Sequence, residues 1–195
     1  MQQKIIIGID LAGIQKNPTG LAVWKNKEIS ACQLYTDKEI VGTTLNWQPT
    51  MIAINAPLSL PRKGLLRKTD REMHKQGYPV FPPLFRTMEK LTLRAMKMAK
   101  EITKESVSIL EVHPASTRKA LEIPSKDGCR IQKIFLQLGL KGDLEKRPLT
   151  THEIDAVTAA LTGYLYLQGK TELIGDEKEG CIAVSVRLNW RKLQL

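Results

Sequence analysis

The chain has 195 residues, 42% of them hydrophobic, which suits one domain of ordinary size or a core domain carrying one sizeable insertion. A net charge of +10, with no run near the roughly 20 apolar residues of a membrane span, excludes a membrane-crossing helix and directs attention to phosphate-bearing partners. Cys32, Cys129 and Cys181 show no C-x-x-C spacing, which argues against a disulfide framework or zinc site, and no secretory pattern opens the chain, so a reducing cytoplasm is expected.

Residues 4–10 predict a buried strand, a β-branched run that closes on Asp10-Leu11-Ala12-Gly13. Residues 19–25 predict a second strand, Asn26-Lys27 a tight turn, and 28–35 a third strand in a meander. A short helix is expected over 38–45. Met51-Ile52-Ala53-Ile54 reads as a further buried strand closed by Asn55-Ala56-Pro57, and Val107–Val112 as another closed by His113-Pro114. Each proline stops its strand at the C-terminal end, where open α/β sheets place their chemistry.

The fifty or so residues between those two strands, 56–106, are too many for a simple crossover and read as an insertion beside the sheet. They hold a basic helical stretch near 66–76 and a corner, Gly77-Tyr78-Pro79-Val80-Phe81-Pro82-Pro83, where a cis proline bond is an option. A helix over about Thr87–Lys104 follows, with Met88, Leu91, Ala95, Met98 and Ile102 as its apolar stripe. From Arg62 to Glu105, twelve Lys and Arg face five acids, so seven of the ten net positive charges sit in less than a quarter of the chain. Arg62, Lys63, Arg67, Lys68, Arg71, Arg86 and Arg94 are the candidate phosphate contacts of a nucleic acid. Tyr78, Phe81 and Phe85 lie among them, either as base-stacking rings or as a small satellite core.

After Pro114 come a short helix to Leu121, a loop, an amphipathic helix near 128–139 and a polar connection over Gly139–Pro148. Thr150–Leu167 is the strongest predicted helix. Thr150 caps it, Glu153 occupies the capping-box position, and Ile154, Val157, Leu161, Tyr164 and Leu165 form its buried stripe. Gly169 stops it, and Cys181–Val186 reads as a last strand or docked extension.

Three acids fall on elements that one sheet can bring together: Asp10 at a strand end, Glu111 within a strand, and Asp155 early in the last helix. Carboxylates converging from two strands and a helix suit Mg²⁺ or Mn²⁺, which take oxygen ligands and activate water against a phosphodiester. Each has a structural alternative. Asp10 suits a turn, Glu111 a buried ion pair with one of the many basic side chains, and Glu153 the capping box alone. Asp155 lies at the margin of the buried stripe, beside Ala156, Ala159, Ala160 and Gly163, which are small enough for close helix approach. His113 and His152 fit either proton shuttles or structural roles.

The ordered set Gly-Ile-Asp-Leu-Ala-Gly, Ile-Asn-Ala-Pro-Leu-Ser-Leu-Pro, Thr-Asp-Arg-Glu-Met, Phe-Pro-Pro, Leu-Glu-Val-His-Pro-Ala and His-Glu-Ile-Asp-Ala-Val-Thr-Ala-Ala-Leu-Thr-Gly resembles the predicted RNase H-like nuclease family known as domain of unknown function 429, over about residues 4–186. More distantly, Gly8-Ile9-Asp10 with the late Asp155-Ala156 helix resembles RuvC-type resolvases. The resemblance implies an α/β fold: a single RNase H-like domain over 1–195, with a mixed central sheet flanked by helices and the basic insertion between two central strands. It also implies a metal-dependent nuclease whose site draws on Asp10, position 55, Glu111 and Asp155; Glu153, from its place in the helix and not from the resemblance, is a further candidate. The family pattern has Asp at position 55, and Asn55 here removes a charge. A unit charge and a divalent ion at roughly 4 Å attract by about 8 kcal/mol gross at an effective dielectric near 20, so the loss would be felt. One alternative is therefore a catalytically impaired nucleic-acid-binding protein. A second is an actin-like ATP-binding phosphotransferase, which shares the Gly-Ile-Asp opening but pairs two such domains and carries phosphate loops not seen here. DNA versus RNA stays open at this stage, as does oligomeric state, a homodimer included.

Overall fold

The computed structural model describes residues 4–124 and 127–195. Strand β1 (Ile5–Asp10) lies in the middle of a sheet, flanked by β2 (Thr19–Lys25), which is antiparallel to it. β3 (Glu28–Leu34) pairs antiparallel with β2 through a turn at Asn26 and Lys27, both at positive φ, as a two-residue hairpin demands. Helix α1 (Asp37–Asn46) opens with a capping box between Thr36 and Glu39. β4 (Met51–Ile54) then returns parallel to β1. Helices α2 (Lys68–Lys75) and α3 (Glu89–Ile102) intervene before β5 (Ser108–Glu111), parallel to β4.

Helices α4 (Pro114–Ala120) and α5 (Gly128–Gln137) lead to a two-residue strand β6 (Lys141–Gly142) and a one-turn helix α6 (Asp143–Lys146). Helix α7 (Thr151–Leu167) and strands β7 (Thr171–Asp176) and β8 (Gly180–Ser185) complete the order. The main sheet runs β5-β4-β1-β2-β3-β6, and β7-β8 is a separate hairpin, linked to it by a bridge between Val112 and Ala183.

Three details depart from expectation. The connection expected to be irregular contains β6 and α6, because Asp143 accepts a hydrogen bond from the Ala31 backbone and docks that segment on β3. The sequence pattern does not predict β7: Thr-Glu-Leu-Ile-Gly-Asp buries only Ile174 and is held mainly by backbone pairing with β8. No cis bond occurs among the described residues, Pro82-Pro83 included. The loop expected after Leu121 lies partly outside the described residues.

The sheet separates two cores. Ile6, Ala22, Trp24, Ala53 and Leu110 face α7 and α5, whereas Ile7, Ile9, Leu21, Val23, Ile52 and Ile54 face α1 and α3. This is strand alternation at work, and it fixes which end-of-strand residue faces which helix. α7 sits unusually close. A Cβ on Gly8 would lie 2.0 Å from the Ala156 carbonyl oxygen, and one on Gly20 would lie 2.0 Å from that of His152. Small residues on both surfaces thus press the first turns of α7 onto β1 and β2.

Candidate active site

Asp10 follows Ile6 and Gly8 on the face of β1 that meets α7, and it pairs in register with Gly20. Because Gly20 has no side chain, the His152 backbone rests on it, and the His152 imidazole Nδ1 comes within 2.7 Å of Asp10 Oδ2. On the other side, Asn55 directly follows β4 and donates from Nδ2 to Asp10 Oδ1 at 2.7 Å. Asp10 is only 8% exposed. Burial raises its carboxyl pKa; hydrogen bonds from His152 and Asn55 oppose this, and the negative charge of Asp155 adds to it.

These groups open onto a cavity of about 260 Å³ at the C-terminal ends of β1, β4 and β5. Asp10, Asn55 and His152 line one part, and Arg67, Asp70, Glu111 and His113 another. Val80, Phe81, Met88 and Leu91 of the 56–106 stretch form an apolar wall. His113 is half-buried with Nδ1 against Ser116 Oγ at 2.7 Å. Burial pushes its pKa down to about 4, with Arg118 adding repulsion and Asp155 partly offsetting it.

Glu111 lies beside the cavity but is not aligned with Asp10. It pairs in register with Ile54, so it belongs to the α1/α3 face, opposite to Asp10. Its two oxygens accept from Arg67 Nη1 at 2.9 Å and Nη2 at 2.7 Å, and Leu58 N–H donates to it at 2.8 Å. Arg67 also bonds Asp70 and Ser59 and is 1% exposed. Burial disfavours its charge, but Glu111 and Asp70 more than offset that and raise its pKa. Burial in turn raises the Glu111 pKa against the pull of Arg67. The ion-pair alternative for Glu111 is what the structure adopts.

Asp155 sits one turn after His152 and ion-pairs with Arg118 of α4, which also reaches Thr158 Oγ1. Glu153 forms the capping box with Thr150 and a two-pronged pair with Arg147 at 3.0 and 2.6 Å. It faces away from the cavity, as its structural alternative predicts. The expected acidic set is thus divided, and the groups in contact with Asp10 are His152 and Asn55, each at 2.7 Å.

The expected phosphate contacts divide as well. Arg67 is occupied as described. Arg94 is 9% exposed and clamps Asp37 Oδ1, the Ala12 carbonyl and the Tyr35 carbonyl at 2.7, 2.6 and 2.8 Å. Neither is free for a phosphate. Arg62, Lys63, Lys68, Arg71 and Arg86 are exposed, with Lys68 beside Asp176. Tyr78 joins Met73, Ala120, Ile174, Ile182 and Val184 in a satellite core, but Phe81 and Phe85 stay outside it.

A cluster of two metal ions does not fit this arrangement, since Glu111 is saturated by Arg67 and the Leu58 amide. Among the described residues, no group of three or more His, Cys, Asp and Glu side chains is arranged to hold a metal. A single hard cation does fit. Asp10 is a buried carboxylate with no Lys or Arg paired to it among the described residues, and it accepts hydrogen bonds from the His152 imidazole and the Asn55 side-chain amide. Mg²⁺ and Mn²⁺ commonly take one or two carboxylates, keep several waters and leave the remaining positions to substrate oxygens.

A family model described as protein of unknown function (DUF429) matches residues 8–180. Among solved structures, T. thermophilus RuvC in complex with Holliday junction substrate is 17% identical, with a TM-score of 0.54 over 91% of this chain and 99% of that one. A second, Thermus thermophilus RuvC, is 18% identical with a TM-score of 0.42 over 85% and 96%. The first likeness establishes an RNase H-like fold, a mixed sheet flanked by helices. The curated proteins contain no match.

Proposed function

The chain belongs to the DUF429 family, and from its site we propose that it is a nuclease of RNase H-like fold, hydrolysing phosphodiester bonds of nucleic acid with one Mg²⁺ or Mn²⁺ at Asp10. The observation that carries this reading is the buried Asp10 carboxylate at the end of β1, in contact with both His152 and Asn55 at the mouth of a cavity. When bound, a divalent ion there supplies charge neutralisation for the phosphodiester and lowers the pKa of a coordinated water. Asp10 would hold it, with His152 and Asn55 as neighbouring donors and Asp155 contributing negative potential behind them. The apolar wall of Val80, Met88 and Leu91 limits water around the reacting bond. Arg62, Lys63, Arg71 and Arg86 would track the strand backbone by phosphate contacts.

A second reading, a nucleic-acid-binding protein with impaired catalysis, draws on two observations. The neighbour of Asp10 at position 55 is a neutral amide, and Glu111 is bound to Arg67.

Cleavage of linear DNA, four-way DNA junctions and RNA with Mg²⁺ or Mn²⁺ separates the two readings. The RuvC complex makes junction DNA a reasonable first choice. Wild-type cleavage that drops roughly hundredfold or more in Asp10→Asn supports the nuclease. Equal rates for the two proteins would sink it. Salt-sensitive binding without metal-dependent cleavage favours the second reading.

A further inference from the structure

Phe81 is 68% exposed and Phe85 46%, with rings within 15° of parallel and centroids 6.5 Å apart. Fully burying a Phe side chain stabilises a fold by about 1.5–3 kcal/mol, and these two rings forgo most of that. A satellite core lies close by in sequence, yet it takes Tyr78 and leaves them out. Single exposed apolar residues are ordinary, but a paired aromatic surface at a cavity rim is a different matter.

The backbone that carries the rings is also held in place. Pro79, Pro82 and Pro83 bracket Phe81. Phe85 donates its N–H to the Pro82 carbonyl at 3.0 Å, and its own carbonyl accepts from Met88 and Glu89 at 2.7 and 3.0 Å as α3 begins. Thr92 Oγ1 donates to the Pro83 carbonyl at 3.0 Å, anchoring the corner to α3. Little ordering would be needed on binding.

We propose that Phe81, supported by Phe85, is a stacking platform for one unpaired nucleobase of the nucleic-acid substrate, so that the protein selects strands whose bases are unstacked near the site. The inference rests on the nucleic-acid reading above and adds the form of the strand to it. Three observations support it. Phe81 lines the same cavity as Asp10, Asn55 and His152, so a base on the ring lies across one small cavity from the candidate centre. At about 260 Å³ that cavity is below the roughly 300–1,000 Å³ of ordinary ligand pockets, room for one small planar group. Arg86, next in the chain to Phe85, is exposed and adds a positive charge to this stretch. Within a duplex both faces of a base are covered by its neighbours, and only edges are offered. Stacking on a protein ring therefore requires an unpaired or extruded base, and any of the bases has a suitable face.

The test measures affinity, by fluorescence anisotropy with EDTA present, for a labelled single-stranded DNA, the same sequence as RNA, and the DNA duplex. Phe81→Ala is expected to lose about tenfold on single strands, within the usual range for one stacked base, and to lose most of its preference over duplex. Phe81→Trp keeps the platform and should keep wild-type affinity, and unfolding midpoints of both variants check folding. Loss on only one of the two single strands would assign the base to DNA or to RNA. Single-strand affinity indistinguishable among wild type, Phe81→Ala and Phe81→Trp overturns the proposal, as does an equal loss on duplex. The readout needs no cleavage, so a nuclease reading lost through Asp10→Asn leaves this result intact, and the reverse holds too.

Discussion

His152 Nδ1 lies 2.7 Å from Asp10 Oδ2, although 142 residues separate the two in sequence. The contact exists because Gly20, the register partner of Asp10, leaves the His152 backbone room to rest on β2. Gly20→Ala would put a methyl 2.0 Å from the His152 carbonyl oxygen, and backbone has to move. We expect a loss of about 1–3 kcal/mol in urea unfolding, together with at least tenfold slower cleavage. Gly42→Ala is the control. It lies in α1 with nothing within 4 Å of an added Cβ and should stabilise by about 0.5–1 kcal/mol. Unchanged cleavage in Gly20→Ala would mean that the His152 position is irrelevant to chemistry.

The buried triad of Arg67, Glu111 and Asp70 makes a contrasting prediction. Arg67→Met removes the one cation between two carboxylates, each less than 10% exposed. Stranded buried charge typically costs about 3–5 kcal/mol, which denaturant unfolding would register. Adding Glu111→Gln and Asp70→Asn to Arg67→Met should recover a large part of that loss. If the triple variant is no more stable than the single one, charge balance is not what the triad contributes.

The elements are largely legible in the sequence, the convergence of site residues less so. β1 and β4 announce themselves as β-branched runs stopped by Asp10 and Pro57, and α7 by its capping box and small residues. β7 carries no such signal, because its pairing is made by backbone rather than by an apolar pattern. Glu111 resembles a partner of Asp10 in the sequence because both are acids carried on apolar strands. Only the register, Ile54 opposite Glu111, shows that the two face different sides of the sheet. For the same kind of reason the sequence leaves His152 between a proton shuttle and a structural role. Its importance depends on Gly20, a residue on another element, and local pattern does not carry that information. Arg67 and Arg94 pass for surface cations by composition, whereas tertiary contacts bury both.

Exposed and buried cations should separate in a salt titration. Replacing Arg62, Lys63, Arg71 or Arg86 by Ala removes an exposed charge, and wherever that charge meets a phosphate the slope of log affinity against log salt should fall by about 0.7–0.9. Arg94→Ala should leave the slope alone and instead destabilise the protein, since three hydrogen bonds to Asp37, Ala12 and Tyr35 go with it. A slope unchanged in all four exposed variants would place the nucleic acid elsewhere.

Asp10 links stability to pH. Burial raises its pKa above the ordinary 3.8. The folded protein therefore favours the protonated acid. The resulting cost is absent below the ordinary value and grows until pH passes the raised one. Asp10→Asn removes that cost, so at neutral pH the variant should melt higher than wild type, by about 2–4 °C for each kcal/mol relieved. The gap should close as pH falls toward 3.8. Cleavage by wild type should fall over the same acid range, because the ionised carboxylate is the form that acts. A gap that widens with acid would reverse the sign and refute the assignment.

Asn55→Asp tests whether position 55 limits the metal site. Asn55 Nδ2 lies 2.7 Å from Asp10 Oδ1, so the substitution sets two carboxylates against each other in a buried place. With EDTA present they repel or must share a proton, and the variant should melt below wild type. Mn²⁺ reverses the balance, since two adjacent carboxylates attract a divalent ion more strongly than one. Ligand at 100 times its Kd stabilises a fold by about 2.7 kcal/mol, so the variant's melting point should rise with Mn²⁺ more steeply than that of wild type. Cleavage should rise with it. A variant that stays destabilised in Mn²⁺ and cleaves no faster would show that a second carboxylate at position 55 does not build a metal site, because the pair would then be a buried repulsion with nothing to relieve it.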